Sequence, residues 1–445
     1  MLMDATNSAL AQIDAAFQQS NGVTTDTRQA SPGKLFFALK GDRFNGNEFA
    51  LQALEAGCTL AVVDDATVSQ QSERCIEVKD VLIALQSLAY LHRSRWNFPV
   101  IGLTGSNGKT TTKELLYAVL KTAFTHTYAT RGNLNNHIGV PLTILEIPVE
   151  ADMAIIEMGA NAQGEIAELA RIAQPTHGVI INIGEAHLEG FGGIKGVIKG
   201  KQELFRYFEH PGSRGERVFV HANHPILLEI STALERTCYG NPAHPPFIQT
   251  TASNDRAVTW IDVDGSMQGP LNPCITGHHN HDNMMTAVAI GRHFGVSAAQ
   301  CSQAIEGYNP NNNRSQWRQT ERNLVLMDAY NANPSSMSTT LEHFAHTEES
   351  GKEPSVCILG DMAELGDFGR EAHERILGLA VGLGLDVWTV GPLFQHAASN
   401  QSGPIKSFDN TESAAAALKL AAWSDRRVLL KGSRSIALEQ LVDLL

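Results

Sequence analysis

A short apolar strand that runs straight into a glycine-rich loop and then a helix constrains this chain more than any other feature. Val100-Ile101-Gly102-Leu103 is the strand and Gly105-Ser106-Asn107-Gly108-Lys109-Thr110 the loop; Leu115, Leu116, Val119 and Leu120 mark one face of the helix that follows. Glycines let main-chain N–H groups curl around an anion, and the helix adds its positive end. Such a loop suits a nucleotide triphosphate such as ATP. Lys109 would neutralise the β/γ charge, and the Thr110 hydroxyl, followed by Thr111, would ligate Mg²⁺. The strict phosphate-loop pattern has four residues between its first Gly and Gly-Lys-[Ser/Thr], whereas Gly102 and Gly108 are separated by five. The bland alternative is an ordinary strand–helix turn. The flanking elements are those the phosphate motif requires.

Glu157 ends the apolar run Ile155-Ile156-Glu157. Ligands of doubly wound sheets sit beyond the carboxyl ends of strands, so a carboxylate there is placed to hold Mg²⁺ beside the loop. Its alternative is a solvated or helix-capping Glu.

Around this centre the chain divides into blocks. In the first, residues 35–39 and 59–63 read as strands, 48–57 and 80–96 as helices, with Pro99 at a boundary. In the second, 153–156 and 178–181 are continuous apolar runs, as in parallel strands covered on both faces, and 282–294 is helical. Stretches 210–215 and 241–246 look like surface loops, and 309–313, rich in Asn and Pro, like a linker. The third block alternates strands (324–327, 355–359, 386–390, 427–430) with helices (336–345, 370–382, 412–422), which implies a parallel α/β sheet. The 445 residues suit about three domains.

The net charge of −13 argues against a nucleic-acid partner. No apolar stretch is long enough for a membrane span, and the start has no basic-then-apolar signal. Six scattered cysteines read as reduced, mostly buried thiols. A cytoplasmic monomer is expected.

Thr104 to Thr112, the stretch Gly132-Asn133-Leu134-Asn135-Asn136-His137-Ile138-Gly139-Val140-Pro141, and Ala186-His187-Leu188-Glu189-Gly190-Phe191-Gly192 together resemble segments of the Mur ligase family. In the third block, Asp328-Ala329-Tyr330-Asn331-Ala332-Asn333-Pro334-Ser335-Ser336-Met337, Leu359-Gly360-Asp361-Met362-Ala363-Glu364-Leu365-Gly366 and Leu430-Lys431-Gly432-Ser433-Arg434 resemble the family members that add D-alanyl-D-alanine. The resemblance implies an α/β chain of three domains. Residues 1–98 would bind a UDP-linked precursor. Residues 99–310 would form a P-loop-type parallel-sheet ATPase domain. Residues 311–445 would form a Rossmann-like domain that binds the incoming dipeptide and closes over ATP. It implies an amide ligase acting on UDP-N-acetylmuramoyl-tripeptide and D-alanyl-D-alanine through an acyl phosphate, with ATP and two Mg²⁺.

Site residues carry over by the same resemblance. Lys109, His187 and Lys201 are the catalytic set. Thr110 and Glu157 serve one ion and His187 the other, with Lys201, in Lys199-Gly200-Lys201-Gln202-Glu203, as a possible carbamate; the alternative there is a plain lysine on a helix. Gly277-His278-His279-Asn280-His281-Asp282-Asn283 fits no common zinc spacing and is similar to an adenine segment, with Asn283 on the base. Arg314, preceded by Asn313 where the family usually has Gly, reaches the phosphates, and Asp328 the ribose. Asp26-Thr27-Arg28, Lys40 (in the segment 40–49), Asn135 and Asn136 lie on the UDP side. Asn331, Asn333, Ser433 and Arg434 are the dipeptide candidates. The competing readings are a sister ligase that adds a single amino acid, such as folylpolyglutamate synthetase, and a nucleotide-driven switch without ligase activity. A purely structural role leaves Lys109 and Glu157 unexplained.

Overall fold

Apolar runs without polar alternation must be covered on both faces, and each block answers with a parallel sheet. A computed structural model describes residues 2–3, 8–241, 243–244, 249–252, 257–310, 316–346 and 354–445. The first sheet orders its four parallel strands Val23–Thr24, Leu35–Phe37, Leu60–Val63 and Cys75–Glu77. The helix expected at 48–57 is shorter. It begins as a 3₁₀ turn over Gly46–Phe49 and is α-helical only over Ala50–Glu55. Gly57, in left-handed backbone at φ 103°, stops it.

The helix Val81–Ser94, capped by Asp80, fastens this block to the next. Buried Arg93 donates from Nε to the carbonyl of Ala173 at 2.8 Å and from Nη2 to that of Gln174 at 2.5 Å. These are the last carbonyls of the helix Glu165–Ala173, where a cation is favoured. Arg214 holds the carbonyls of Trp96 and Ser94 from the other side.

The central sheet has six parallel strands in the order Arg236–Tyr239, Arg217–His221, His177–Ile180, Val100–Thr104, Met153–Glu157, Thr127–Ala129. Val100–Thr104 lies in the interior, so the glycine-rich loop leaves from the middle of the carboxyl edge. The helix Lys109–Lys121 then buries Leu115, Leu116, Val119 and Leu120 against Met284, Val288 and their neighbours on His278–His293. A three-stranded antiparallel sheet, Gln249–Ala252, Val258–Ile261 and Met267–Leu271, was not anticipated. Its signal is only four residues long: Val258 and Trp260 point inward and alternate with Thr259 and Ile261.

The third sheet runs Gln316–Gln319, Leu324–Asp328, Arg427–Lys431, Ser355–Gly360, Asp386–Val390, Ile405–Phe408. The expected strands form its middle, parallel to one another, and the expected helices are Pro334–His346, Gly369–Gly382 and Thr411–Ala421. The two edge strands are additional, and Gln316–Gln319 is antiparallel to its neighbour. Five linker-region residues, 311–315, lie outside the described residues, and with them Arg314.

All six cysteines are free thiols, four of them buried. Among the described residues no helix is long and apolar enough to cross a membrane.

The helix Ile194–Glu209 packs unusually close to the short helix Leu188–Phe191. A Cβ on Gly196 would overlap the Phe191 carbonyl oxygen, and one on Gly200 the Phe191 ring. Gly196→Ala is therefore expected to destabilise the protein by about 3 kcal/mol, at the upper end of overpacking costs. A lower urea midpoint at unchanged slope checks it.

Candidate active site

The glycine-rich loop is held from below by residues just past the neighbouring strand. The main-chain N–H of Asn107 donates to Asn182 Oδ1 at 2.9 Å, Asn182 Nδ2 donates back to the Asn107 carbonyl at 3.1 Å, and Ser106 Oγ bridges the N–H and carbonyl of Gly184, each at 2.9 Å. Gly108 turns at φ 76°, and a Cβ there would lie 2.5 Å from Asn283 Oδ1. Lys109 Nζ folds onto the carbonyls of Gly105 and Ser106, at 2.8 and 3.4 Å. Ser106, Asn107, Gly108, Lys109, Thr110 and Thr111 line a cleft of about 710 Å³; Gly105 lies at the strand end beneath it, its Cα facing Ile181.

Glu157 forms the floor. It is 1% exposed, and Oε1 accepts from Asn135 Nδ2 at 2.7 Å and Thr110 Oγ1 at 3.3 Å. Oε2 has no hydrogen-bond partner among the described residues; Lys113 Nζ lies 3.9 Å away. A buried carboxylate oxygen left open beside a hydroxyl is the donor set a hard divalent cation takes. No three His, Cys, Asp or Glu side chains gather into a metal cage among the described residues. Mg²⁺ needs none where phosphates and water complete its shell.

Lys201 is 1% exposed, with no hydrogen-bond partner for Nζ among the described residues and the Phe191 ring 5.1 Å beneath it. Burial first, and then the nearby Lys109 ammonium, push its pKa well below the usual lysine range. Glu203, two residues further along the same helix, accepts from Gly164 N at 2.6 Å and Ala167 N at 3.0 Å at the start of the helix Glu165–Ala173. His187 lines the cleft in left-handed backbone, φ 53°, and its Nδ1 meets the carboxylate of Glu364 from the third domain.

Asn283, expected on the base, is buried and already engaged: Oδ1 accepts from Thr112 Oγ1 at 3.0 Å and Nδ2 donates to Asn280 Oδ1 at 3.1 Å. It braces Gly108 from behind as well as lining the cleft. His279 in the same segment is pushed by burial to about 4 and is neutral. Asp328 lines the opposite wall. Its Oδ2 accepts from Lys431 Nζ at 2.5 Å and Thr340 Oγ1 at 2.9 Å. Burial alone would raise this carboxyl, but the Lys431 ammonium holds it below the usual carboxylate value.

The uridine-side residues stand apart. Asp26, Thr27, Arg28 and Lys40 are not part of the cleft wall. Asp26 caps the turn Thr27–Gln29 and pairs with exposed Arg28, while Lys40 pairs with Asp64 at 2.9 Å. Asn135 and Asn136, expected with them, line the cleft: Asn135 donates to Glu157, and Asn136 Oδ1 accepts from Ile138 N and Gly139 N. Of the dipeptide candidates, Asn331 and Asn333 line the cleft, Ser433 is buried between two loops, and Arg434 is exposed over the Tyr330 ring.

Contacts between the second and third domains at the cleft escape sequence reasoning. Asn333 Nδ2 donates to Asn107 Oδ1 at 2.7 Å, Glu185 N donates to Ser335 Oγ at 2.7 Å, and Arg375 pairs with the Glu185 carboxylate. The first contact docks the third domain onto the phosphate loop, and the other two dock it onto the segment after the strand His177–Ile180. Asn333 and Ser335 were visible inside a quoted motif. Glu185 directly precedes another, but its partner Arg375 is 190 positions away and no local pattern links them.

Comparison with known proteins places this geometry. Residues 19–93 match the model of the Mur ligase family, catalytic domain; 103–291 match the Mur ligase middle domain; 313–434 match the Mur ligase, glutamate ligase domain. The UDP-N-acetylmuramoyl-tripeptide–D-alanyl-D-alanine ligase of Bacillus subtilis (strain 168) is 35% identical over 95% of this chain and 92% of its own. The ligase of the same name from Escherichia coli (strain K12) is 34% identical over 95% and 93%. A crystal structure of MurF from Acinetobacter baumannii, 30% identical, superposes over 100% of this chain and 99% of its own with a TM-score of 0.85. MurF from Thermotoga maritima in complex with ADP, 24% identical, has the same fold at a TM-score of 0.82, covering 99% and 98%. Mycobacterium tuberculosis folylpolyglutamate synthase, 15% identical, shares the fold more distantly, with a TM-score of 0.63 over 82% of this chain and 94% of its own.

The Asp328–Lys431 pair generates a test. Because the folded pKa of Asp328 is depressed, its ionised form contributes stability that is fully present above its unfolded value of about 3.9 and is lost as pH falls through the lower folded value. Asp328→Asn should erase that part of the acid-side slope in urea titrations. Lys431→Met, which leaves a buried carboxylate unpaired, should cost about 3 kcal/mol at pH 7.

Proposed function

This chain belongs to the Mur ligase family, and from that premise we propose that it is the ATP-dependent ligase joining D-alanyl-D-alanine to UDP-N-acetylmuramoyl-tripeptide in peptidoglycan precursor synthesis. The observation that carries the reading is a phosphate loop held against a buried carboxylate with one open oxygen, Glu157, while side chains of the third domain touch the loop itself. That is the arrangement an enzyme needs if a nucleotide and two further substrates must meet in one water-poor cleft.

The loop N–H groups and Lys109 cradle the β- and γ-phosphates. Asn283 faces the base and Asp328 accepts from the ribose; Arg314, which the family resemblance assigns to the phosphates, lies outside the described residues. The terminal carboxylate of the tripeptide attacks the γ-phosphorus, ADP departs, and an acyl phosphate forms. The dipeptide amine then attacks that carbonyl carbon, and inorganic phosphate leaves. Thr110 and Glu157 are the residues that would hold one Mg²⁺, and His187 with Lys201 the second. Such ions supply offsetting positive charge where anionic reactants crowd. Lys201 suits carbamylation because a neutral amine is the form that adds to CO₂, and burial, then the nearby Lys109 ammonium, shift Lys201 toward that form. Residues 1–98 carry the UDP end, on Asp26, Thr27, Arg28 and Lys40. We place the domain boundaries after 98 and 310 and the enzyme as a monomer.

The sister reading, folylpolyglutamate synthesis, shares the fold at 15% identity, whereas the relatives at 34% and 35% bear the dipeptide-ligase name. ADP release separates the two. Turnover is expected with UDP-linked tripeptide only when D-alanyl-D-alanine is also present, and none with folate plus glutamate. Lys109→Ala should lower kcat about 10²–10³-fold, the loss typical of removing one oxyanion-stabilising donor. Lys201→Ala should lower turnover at ordinary Mg²⁺, and a Lys201→Ala enzyme as active as the parent removes that residue from the mechanism.

A further inference from the structure

His221 is 3% exposed and held in one orientation. Gly240, at φ 86°, stands so close that a Cβ there would lie 2.8 Å from the His221 Cε1. The imidazole also meets the Tyr239 ring edge-on, with 5.0 Å between centres. Its Nδ1 accepts from Asn223 N at 3.3 Å, so Nε2 carries the proton, and Nε2 donates to Asp282 Oδ1 at 3.2 Å. One helical turn on, Thr286 Oγ1 donates to the Asp282 carbonyl at 2.8 Å and is itself bonded to the Tyr239 hydroxyl at 2.8 Å. Buried groups thus brace a single carboxylate whose own side chain is 47% exposed and lines the reaction cleft. Packing and hydrogen bonds of this kind are what hold a binding group at a productive angle.

None of these bonds uses Asp282 Oδ2. A carboxylate oxygen only accepts, so its partner in the cleft is an N–H or O–H donor. Phosphates are anionic and belong to the loop Gly105–Thr110, and the ribose belongs to Asp328 on the opposite wall. On the Asp282 wall the next residue, Asn283, has both amide atoms engaged, with Thr112 and Asn280. His224 lines the cleft beside His221, their ring centres 5.2 Å apart; burial, then His221, lowers its pKa, so it presents a neutral ring of the kind on which a base stacks. A flat neutral ring beside one open acceptor suits a purine that carries an amino group. Adenine has that donor in its 6-amino group, where guanine has a carbonyl oxygen that a carboxylate repels.

The geometry points to Asp282 as the residue that reads the base, Oδ2 accepting from the adenine 6-amino group, and to His221 as the positioning residue that aims it. This rests on the nucleotide cleft of the reading above and adds the edge of the base that the cleft selects.

The test is calorimetric binding, on the whole chain, of ADP and of purine riboside 5′-diphosphate, which has hydrogen in place of the amine. The parent is expected to bind ADP about tenfold tighter or more, the range for a hydrogen bond to a charged group. Asp282→Ala should bring the two affinities within about twofold of each other by weakening ADP alone. His221→Phe should narrow the preference, and His221→Gln, which restores an N–H donor toward Asp282, should recover it. A ring that served packing only would weaken both nucleotides together. If Asp282→Ala does not fold, the isosteric Asp282→Asn is read by the same criterion, because His221 claims its amide oxygen and turns the NH₂ toward the base. A preference for ADP that stays within twofold of the parent value in the Asp282 variant, or an equal loss for both nucleotides, overturns the assignment. A parent that binds neither nucleotide refutes the nucleotide reading itself. A parent that binds both alike refutes only the role of Asp282.

Discussion

A buried carboxylate set against a loop of main-chain N–H groups is the constraint on which the rest of this molecule turns. Glu157 sits at the end of an interior strand, accepts from Asn135 and Thr110, and keeps one oxygen without a hydrogen bond. Such a group is costly to bury unless something positive completes it. Lys113 Nζ stands 3.9 Å from that oxygen as its ion-pair partner, and Lys109 turns back on its own loop. The cleft thus keeps a buried carboxylate oxygen without a hydrogen bond, answered among the described residues only by one ammonium at the edge of ion-pair range.

The loop keeps its shape because neighbours on other elements leave no room for another. Gly108 cannot carry a side chain without striking Asn283, and Asn283 is held by Thr112 and Asn280. Ser106 and Asn107 are stitched to Asn182 and Gly184, which follow the adjacent strand. Preorganisation of this kind lets a phosphate site act without rearranging when charge develops.

The third domain converts a nucleotide pocket into a place where substrates meet. Asn333 reaches Asn107, Ser335 reaches Glu185, and Glu364 reaches His187. Each pair joins the carboxyl edge of one sheet to that of the other. The first domain, by contrast, is anchored rigidly through Arg93 and Arg214 to main-chain carbonyls, and its Asp26–Arg28 segment stays outside the cleft. One domain is fixed by buried bonds, and the other meets the site through polar, partly exposed ones.

Much of this was legible in one dimension. Runs at 100–103, 153–156, 324–327 and 427–430 announce buried parallel strands, and Gly108-Lys109-Thr110 announces a phosphate loop, because these depend on residues adjacent in the chain. Short edge strands such as Gln316–Gln319 did not announce themselves, since their pairing partner rather than their own composition makes them strands. What only the tertiary structure decided is who meets whom. Asn135 bonds to Glu157, Asn333 touches the phosphate loop, and Lys201 stands buried over Phe191 without a hydrogen-bond partner among the described residues. The physical reason is range. Backbone conformation and phosphate affinity are set by a few neighbouring residues, whereas desolvation and ion pairing depend on groups that a fold brings together from tens to hundreds of positions away.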